Sequence, residues 1–266
     1  MVEPLIYGKE DFAHVGKIIA VANQKGGVGK TTTAVNLAAC LAEQGKSVLL
    51  CDLDPQGNAT SGLGVHAGKT TTYEVMLGSV PLPNAVVETG CKGLHLLPAD
   101  IRLAAADVEL VEAARREYRF ADALAGHVAA YDYVLVDCPP SLGLLTINAL
   151  TAAHSVLVPI QSEYYALEGV TALMNTISRI QHSFNKSLQL EGVVLTMFDG
   201  RTNLSLQVAA EVKRYFKSRI FTTIIPRNVR LGEAPSHGQP IHQYDARSVG
   251  AEAYRQLAKE LIRRNA

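Results

Sequence analysis

A glycine-rich segment with two lysines follows an apolar run near the start of the chain. The segment reads Lys25-Gly26-Gly27-Val28-Gly29-Lys30-Thr31-Thr32 and comes directly after the apolar residues 18–22. Backbone N–H groups around such glycines cradle a polyphosphate, a lysine at position 30 reaches its β- and γ-phosphates, and a hydroxyl at position 31 ligates Mg²⁺. A helix that opens at Thr31 points its positive end at the same anion. The residues therefore predict a phosphate-binding loop.

The loop departs from the common pattern G-x-x-x-x-G-K-[ST] at its first position. Gln24 stands where that pattern has glycine, and Lys25 is an additional lysine. Lys30 is expected to bind the phosphates of its own loop, so Lys25 is better explained as a residue that reaches a neighbouring subunit. In a face-to-face dimer it is expected to contact the partner's ATP and stabilise developing charge there.

Two acidic positions suit the remaining needs of phosphoryl transfer, which are a metal and a positioned water. The apolar run 134–136 ends in Asp137, a Walker-B pattern, and Asp137 is predicted to hold Mg²⁺. Asp54 follows a second apolar run and is predicted to orient or deprotonate the attacking water. Asp52 is the alternative for that role, but it is better explained as a buried structural residue or as a residue that contacts the ligands of the metal.

The elements that must position these residues alternate between strands and helices. Continuous apolar runs predict strands at 17–23, 47–52, 94–98, 133–137, 155–160, 189–197 and 221–225. Helical spacing predicts helices at 31–43, 101–114, 119–130, 167–182, 205–216 and 250–264. This order predicts an α/β fold with a doubly wound, mostly parallel sheet covered by helices on both faces. The polar residues then meet at the carboxyl ends of the strands, where such folds bind nucleotides.

Charge is distributed unevenly along a chain of 266 residues whose formal net charge is zero. Residues 201–266 carry a formal net charge of +7 and the rest of the chain carries −7. This asymmetry indicates a basic surface that binds a polyanion or, alternatively, helix faces that are charged because they face water. Seven cations could join across two subunits into one stripe: Arg201, Lys213, Arg214, Lys217, Arg219, Arg230 and Arg247.

Length and composition favour one domain. Residues 17–266 are expected to form a single ATPase domain, and residues 1–16 a short extension that is too small for a domain and lacks the apolar core of a signal peptide. The four cysteines, without C-x-x-C spacing, are expected to be buried reduced thiols of a cytoplasmic protein.

Six segments of the chain together resemble the ParA/Soj chromosome-partition ATPases, within the deviant-Walker-A group that also holds MinD. They are residues 24–33, 52–58, 136–141, 159–169, 195–203 and 225–238, so that the resemblance covers about residues 17–264. The string Ile-Pro-Arg-Asn-Val-Arg-Leu-Gly-Glu-Ala-Pro-Ser at 225–236 is the most specific of them.

The resemblance implies an ATP-dependent sandwich dimer that binds double-stranded DNA without sequence preference on the nucleoid. A ParB/Spo0J-type centromere-binding protein would stimulate hydrolysis and reset the dimer. Matching motifs make Lys25 the signature lysine across the interface, Asp54 the hydrolytic aspartate and Asp137 the Walker-B one. They also assign Lys30, Thr31 and Thr32 to phosphate and Mg²⁺, Arg201 and Arg230 to DNA, and Pro226, Arg227 and Asn228 to the neighbourhood of the adenine.

Three rival functions remain at this point. A MinD-like membrane ATPase needs a C-terminal amphipathic helix with bulky apolar anchors, and residues 259–266 have few. We therefore expect no membrane association. A nitrogenase-iron-protein-like reductase needs cluster-bridging cysteines, which Cys91 and Cys138 do not match. A scaffold that binds ATP without turnover is disfavoured by the presence of both Asp54 and Lys25.

Overall fold

An eight-stranded sheet organises the chain in a computed structural model that describes residues 16–163 and 166–266. The strands are β1 (Lys17–Val21), β2 (Val48–Asp52), β3 (Val87–Glu88), β4 (Leu94–Leu97), β5 (Tyr133–Asp137), β6 (Ser155–Gln161), β7 (Gln189–Phe198) and β8 (Ile220–Pro226). Their order is β3-β4-β2-β5-β1-β6-β7-β8, and every neighbouring pair is parallel except β3 with β4. The predicted α/β fold with a mostly parallel, doubly wound sheet is confirmed.

Helices cover both faces of this sheet. They are α1 (Lys30–Glu43), α2 (Asn58–Gly62), α3 (Thr72–Leu77), α4 (Ala106–Glu109), α5 (Arg119–Leu124), α6 (Leu144–Ala152), α7 (Ala166–Ser183), α8 (Asn203–Phe216), α9 (Val229–Glu233), α10 (Ile241–Tyr244) and α11 (Val249–Arg264). One apolar core contains α5, α6 and α8, and the other contains α1 and α11. The side chains of the strands alternate between the two cores, as buried parallel strands require.

The C-terminal helix α11 directs its apolar stripe inward. Tyr254, Leu257 and Leu261 are each at most 1% exposed and pack against α1 and β8. The expectation that this stripe packs on the sheet is confirmed. Within the described part of the chain, every helix is too short or too polar to cross a bilayer.

The structure differs from the prediction at two of the expected helices and at several elements that were not expected. The helix expected at 101–114 is a 3₁₀ segment, Ile101–Ala105, followed by the short α4. The helix expected at 119–130 ends at Leu124, because Gly126 adopts a φ of 80° that continues no α-helix. Helix α6 was not predicted, since it reads Leu-Leu-Thr-Ile-Asn-Ala-Leu-Thr-Ala and lacks a polar face. The antiparallel β3 was not predicted either, and it is only two residues long.

The four cysteines are all buried and reduced, as expected. The extension predicted at residues 1–16 lies outside the described residues except for Gly16. A side chain at Gly16 would meet the carbonyl oxygen of Tyr131 at 2.2 Å, so the chain enters β1 through a position that only glycine fills.

Candidate nucleotide-binding site and basic surfaces

The loop between β1 and α1 lies at the carboxyl edge of the sheet, beside the ends of β5 and β6. Gly27 and Gly29 have φ angles of 71° and 85°, a left-handed conformation that favours glycine. A Cβ placed at Gly26 or Gly27 meets no atom within 4 Å, so the space above the loop is open. On its inner side the loop is tied to β7, because the Thr196 hydroxyl donates to the Val28 carbonyl at 2.8 Å. The loop therefore presents a shaped backbone to an open edge.

Lys30 begins α1 beneath this loop and is only 7% exposed. Its ammonium donates to the Lys25 carbonyl at 3.2 Å, across the mouth of the loop. Burial lowers the pKa of Lys30, and the nearby carboxylates of Asp137 and Asp54 act in the opposite direction. Because burial disfavours the charged form of Lys30, an anionic ligand beside its ammonium would be bound strongly and would stabilise that charge.

Asp137 ends β5 and is completely buried beside α1. Within residues 16–163 and 166–266, neither of its carboxylate oxygens has a hydrogen-bond partner. Burial and the charge of Asp52 raise the pKa of Asp137, while the nearby Thr31 hydroxyl and Lys30 ammonium favour its ionised form. Two unsatisfied buried oxygens next to a hydroxyl form a hard oxygen donor set, which suits Mg²⁺.

Asp52 and Asp54 occupy different environments although only one residue separates them. The Asp52 carboxylate is buried and accepts hydrogen bonds from the Thr60 amide at 2.9 Å, the Thr60 hydroxyl at 2.7 Å and the Asp54 amide at 3.1 Å. Burial raises the pKa of Asp52 to about 6 against the effect of these bonds. Asp54, 7% exposed, accepts one bond, from the Gln56 amide. The geometry agrees with the structural interpretation of Asp52, whereas Oδ2 of Asp54 has no hydrogen-bond partner among the described residues.

A cavity of about 460 Å³ adjoins the phosphate loop on its β7 side. Its wall includes Gly29 and Thr32 from the loop and α1, and Pro226, Arg227 and Asn228 from the end of β8. The structure thus brings the residues predicted near an adenine into one cavity with the loop. Sequence reasoning missed further wall residues, among them Met197 and Tyr254, because no local pattern links them to the loop.

Met197 is the strained member of that wall. Its φ of 50° is unusual for a residue with a side chain, and it lies where the pairing of β7 with β8 becomes irregular. Backbone strain of this kind concentrates at ligand-binding positions.

The predicted basic residues are exposed but divide between two sides of the edge strand β8. Arg201 follows β7 and forms a two-pronged ion pair with Asp199, at 2.8 and 2.7 Å. On α8, Arg214 pairs with Glu211 at 2.6 Å, and the exposed Lys213 precedes it. Two further exposed cations follow α8, and these are Lys217 and Arg219.

Arg230 and Arg247 lie on the opposite layer, which contains α9 and α11. Arg230 donates to Glu233 at 2.8 Å and stands 3.6 Å from Asp245, while Arg247 is exposed. Three of the arginines predicted to contact DNA, Arg201, Arg214 and Arg230, are therefore held by acidic neighbours in the isolated chain. Within one chain the seven cations form two groups, one that follows β7 and lies on and after α8, and one on the layer of α9 and α11.

Comparison with known proteins places this geometry in a family. An AAA-domain family model matches residues 16–190. The chain is 56% identical over 249 residues to the sporulation initiation inhibitor protein Soj of Bacillus subtilis, covering 93% of this chain and 98% of that protein. It is 52% identical to the chromosome partitioning protein ParA of Myxococcus xanthus, covering 97% and 92%.

A comparison with solved structures supports the same P-loop fold and a nucleotide site. A Mycobacterium smegmatis protein, described as cobyrinic acid a,c-diamide synthase with bound ADP and magnesium, superposes with a TM-score of 0.82 at 43% identity, over 93% of this chain and 94% of that one. Its name refers to a different reaction, but its ligands are those that the loop, Lys30 and Asp137 suit. The chain belongs to the ParA/Soj family of P-loop ATPases that partition chromosomes.

Proposed function

We propose that this ATPase partitions chromosomal or plasmid DNA by switching between a DNA-binding dimer with ATP and a released state after hydrolysis. One observation carries the proposal: the buried Lys30 and the buried Asp137, whose carboxylate has no hydrogen-bond partner among the described residues, lie together at the glycine-rich loop. The relatives named Soj and ParA, more than 50% identical over most of the chain, support the partition role over the amide synthesis named for the Mycobacterium protein.

Each predicted residue has a distinct task in this proposal. The amides of Gly26, Gly27, Val28 and Gly29 bind the phosphates with Lys30, and Thr32 borders both phosphate and base. Thr31 and Asp137 hold Mg²⁺, which neutralises phosphate charge when it is bound. Asp54 orients the attacking water. Pro226, Arg227 and Asn228 border the base in the 460 Å³ cavity.

The dimer and its DNA face extend the proposal beyond one chain. Lys25 contacts the nucleotide of the second copy, and that contact makes each site depend on the other subunit. Dimerisation joins the cations on both sides of β8 into one surface that contacts DNA phosphates without reading bases. A ParB/Spo0J-type partner stimulates hydrolysis and so frees the protein from the nucleoid. Residues 17–266 act as one ATPase domain.

A mobility-shift titration on random-sequence duplex DNA tests this function. Wild type and Arg230→Ala are compared without nucleotide, with ADP and with ATP, each at two salt concentrations. We expect binding only with ATP, weaker at the higher salt and lost in the variant. Binding that ignores the nucleotide, or no binding in any state, contradicts the proposal, and sedimentation with anionic liposomes then tests the MinD-like alternative.

A further inference from the structure

The ammonium of Lys25 is bound within its own chain. Its Nζ lies 3.1 Å from Oε2 of Glu163, the second residue after β6. The other carboxylate oxygen of Glu163 accepts a hydrogen bond of 2.6 Å from the side-chain amide of Gln161. Among the described residues each oxygen of Glu163 therefore has one partner, and its Oε2 is the oxygen that contacts Lys25.

The backbone of Lys25 is fixed, whereas its side chain is free to turn. The Lys25 amide donates to the Asn23 side chain at 3.1 Å, and its carbonyl accepts from Lys30 at 3.2 Å. Asn23 is in turn anchored to the Pro159 carbonyl at 2.7 Å on β6. The side chain of Lys25 remains about one third exposed, and a lysine stem has four rotatable bonds. Lys25 can therefore redirect its ammonium by rotating its side chain while its backbone stays in place.

We propose that Glu163 is a positioning residue that holds Lys25 in the isolated chain, and that Lys25 leaves Glu163 for the nucleotide phosphates of the second copy. This inference rests on the proposed dimer. One ammonium cannot serve both anions at full strength, and a polyphosphate carries more negative charge than a carboxylate. The exchange is therefore favourable only once a second chain supplies its nucleotide.

The exposure of the pair sets the size of the effect. The side chains of Lys25 and Glu163 are 32% and 46% exposed, so water weakens their attraction and the pair opens readily. Glu163 consequently weakens dimerisation modestly and does not prevent it. A dimer opens two such pairs, and the expected change in its dissociation constant is roughly two- to thirtyfold.

Sedimentation equilibrium with Mg²⁺ and the non-hydrolysable analogue AMP-PNP measures this change at fixed ionic strength. We expect Glu163→Gln to tighten the dimer by that factor, and Glu163→Asp, which keeps the charge on a shorter stem, to have a smaller effect. The matched control is Asp122→Asn on α5, which removes the negative charge from an exposed ion pair with Arg115 and is expected to leave dimerisation unchanged.

A crystal structure of the AMP-PNP dimer gives the second, independent measurement. Lys25 must lie on the partner's phosphates and away from Glu163 of its own chain. An unchanged or weaker Glu163→Gln dimer, or Lys25 still paired with its own Glu163, overturns the inference while the proposed function stands. A wild-type chain that stays monomeric at every AMP-PNP concentration overturns both, which separates the two failures.

Discussion

The side chain of Asn36 accepts a hydrogen bond of 2.7 Å from the backbone amide of Ile241, 205 positions further along the chain. Asn36 is buried in α1 and also donates to the Thr32 carbonyl at 2.8 Å. One side chain thereby joins the helix that follows the phosphate loop to the segment between Arg230 and Arg247. The phosphate loop and the smaller of the two groups of basic residues are connected through a buried polar contact.

Replacing Asn36 is expected to destabilise the fold. Asn36→Ala leaves the buried Ile241 amide without its acceptor, which costs about 1–3 kcal/mol. Urea unfolding at pH 7 measures the difference from wild type. Gln207→Ala, at an exposed position on α8, is the control and is expected to change stability by less than about 0.5 kcal/mol. Equal stabilities for the two variants contradict the role of the contact.

Glu260 is expected to make stability depend on pH. Burial opposes its ionisation, but hydrogen bonds from the amides and hydroxyls of Thr222 and Thr223 prevail and lower the pKa of Glu260 to about 2. The unfolded chain then binds the proton more readily than the folded one. The stabilisation, on the order of 3 kcal/mol, is present above about pH 4.5 and disappears as pH falls toward 2.

Urea unfolding of wild type and Glu260→Gln between pH 7 and pH 3 measures this dependence. The stability difference between the two proteins should be largest at pH 7 and shrink below pH 4.5. Glu252→Gln, on the exposed side of the same helix, should follow wild type throughout. A constant difference across the pH range is the result that contradicts the role of Glu260.

Replacing Asp54 is expected to lower ATP turnover, whereas replacing Asp52 is expected to lower the stability of the fold. Asp54→Ala should retain ATP binding and lower turnover by about 10²- to 10⁴-fold, because the water loses its base. Asp52→Asn disrupts the hydrogen bonds from Thr60 and should lower stability by about 1–3 kcal/mol. Fluorescent-nucleotide titration, steady-state hydrolysis and urea unfolding separate the two outcomes. Normal turnover in Asp54→Ala means that another residue positions the water.

Arg201 is expected to contribute one phosphate contact to DNA binding. Arg201→Ala should lower the slope of log affinity against log salt concentration by about one, uniformly across DNA sequences. Asp199→Asn should strengthen binding, because Asp199 holds the Arg201 guanidinium in the isolated chain. Fluorescence anisotropy at several salt concentrations measures both. Arg115→Ala, at an exposed arginine outside the basic surfaces, is the control, and an identical slope for Arg201→Ala and wild type excludes the contact.

Local patterns were sufficient to predict much of the fold and the centre of the site. The apolar runs predicted seven strands, because buried parallel strands are continuous in sequence. The loop 25–32 and Asp137 were placed correctly at the carboxyl edge of the sheet, since both directly adjoin such runs. Helix α6 escaped prediction because it is apolar on nearly all sides.

The partners of the site residues were not predictable from the same patterns. Glu163 lies 138 positions from Lys25, and the contact exists only because β6 pairs with β1. Tyr254 reaches the 460 Å³ cavity beside the phosphate loop through the packing of α11 on α1. These contacts follow from the assembled sheet, which no single segment encodes.

Release of the protein from DNA tests the central claim most directly. Wild type and Asp54→Ala are loaded on duplex DNA with ATP, excess competitor DNA is added, and dissociation is followed by fluorescence anisotropy. If hydrolysis resets the DNA-binding state, wild type should dissociate at its own turnover rate and Asp54→Ala should remain bound much longer. Equal dissociation rates for the two proteins would contradict the account.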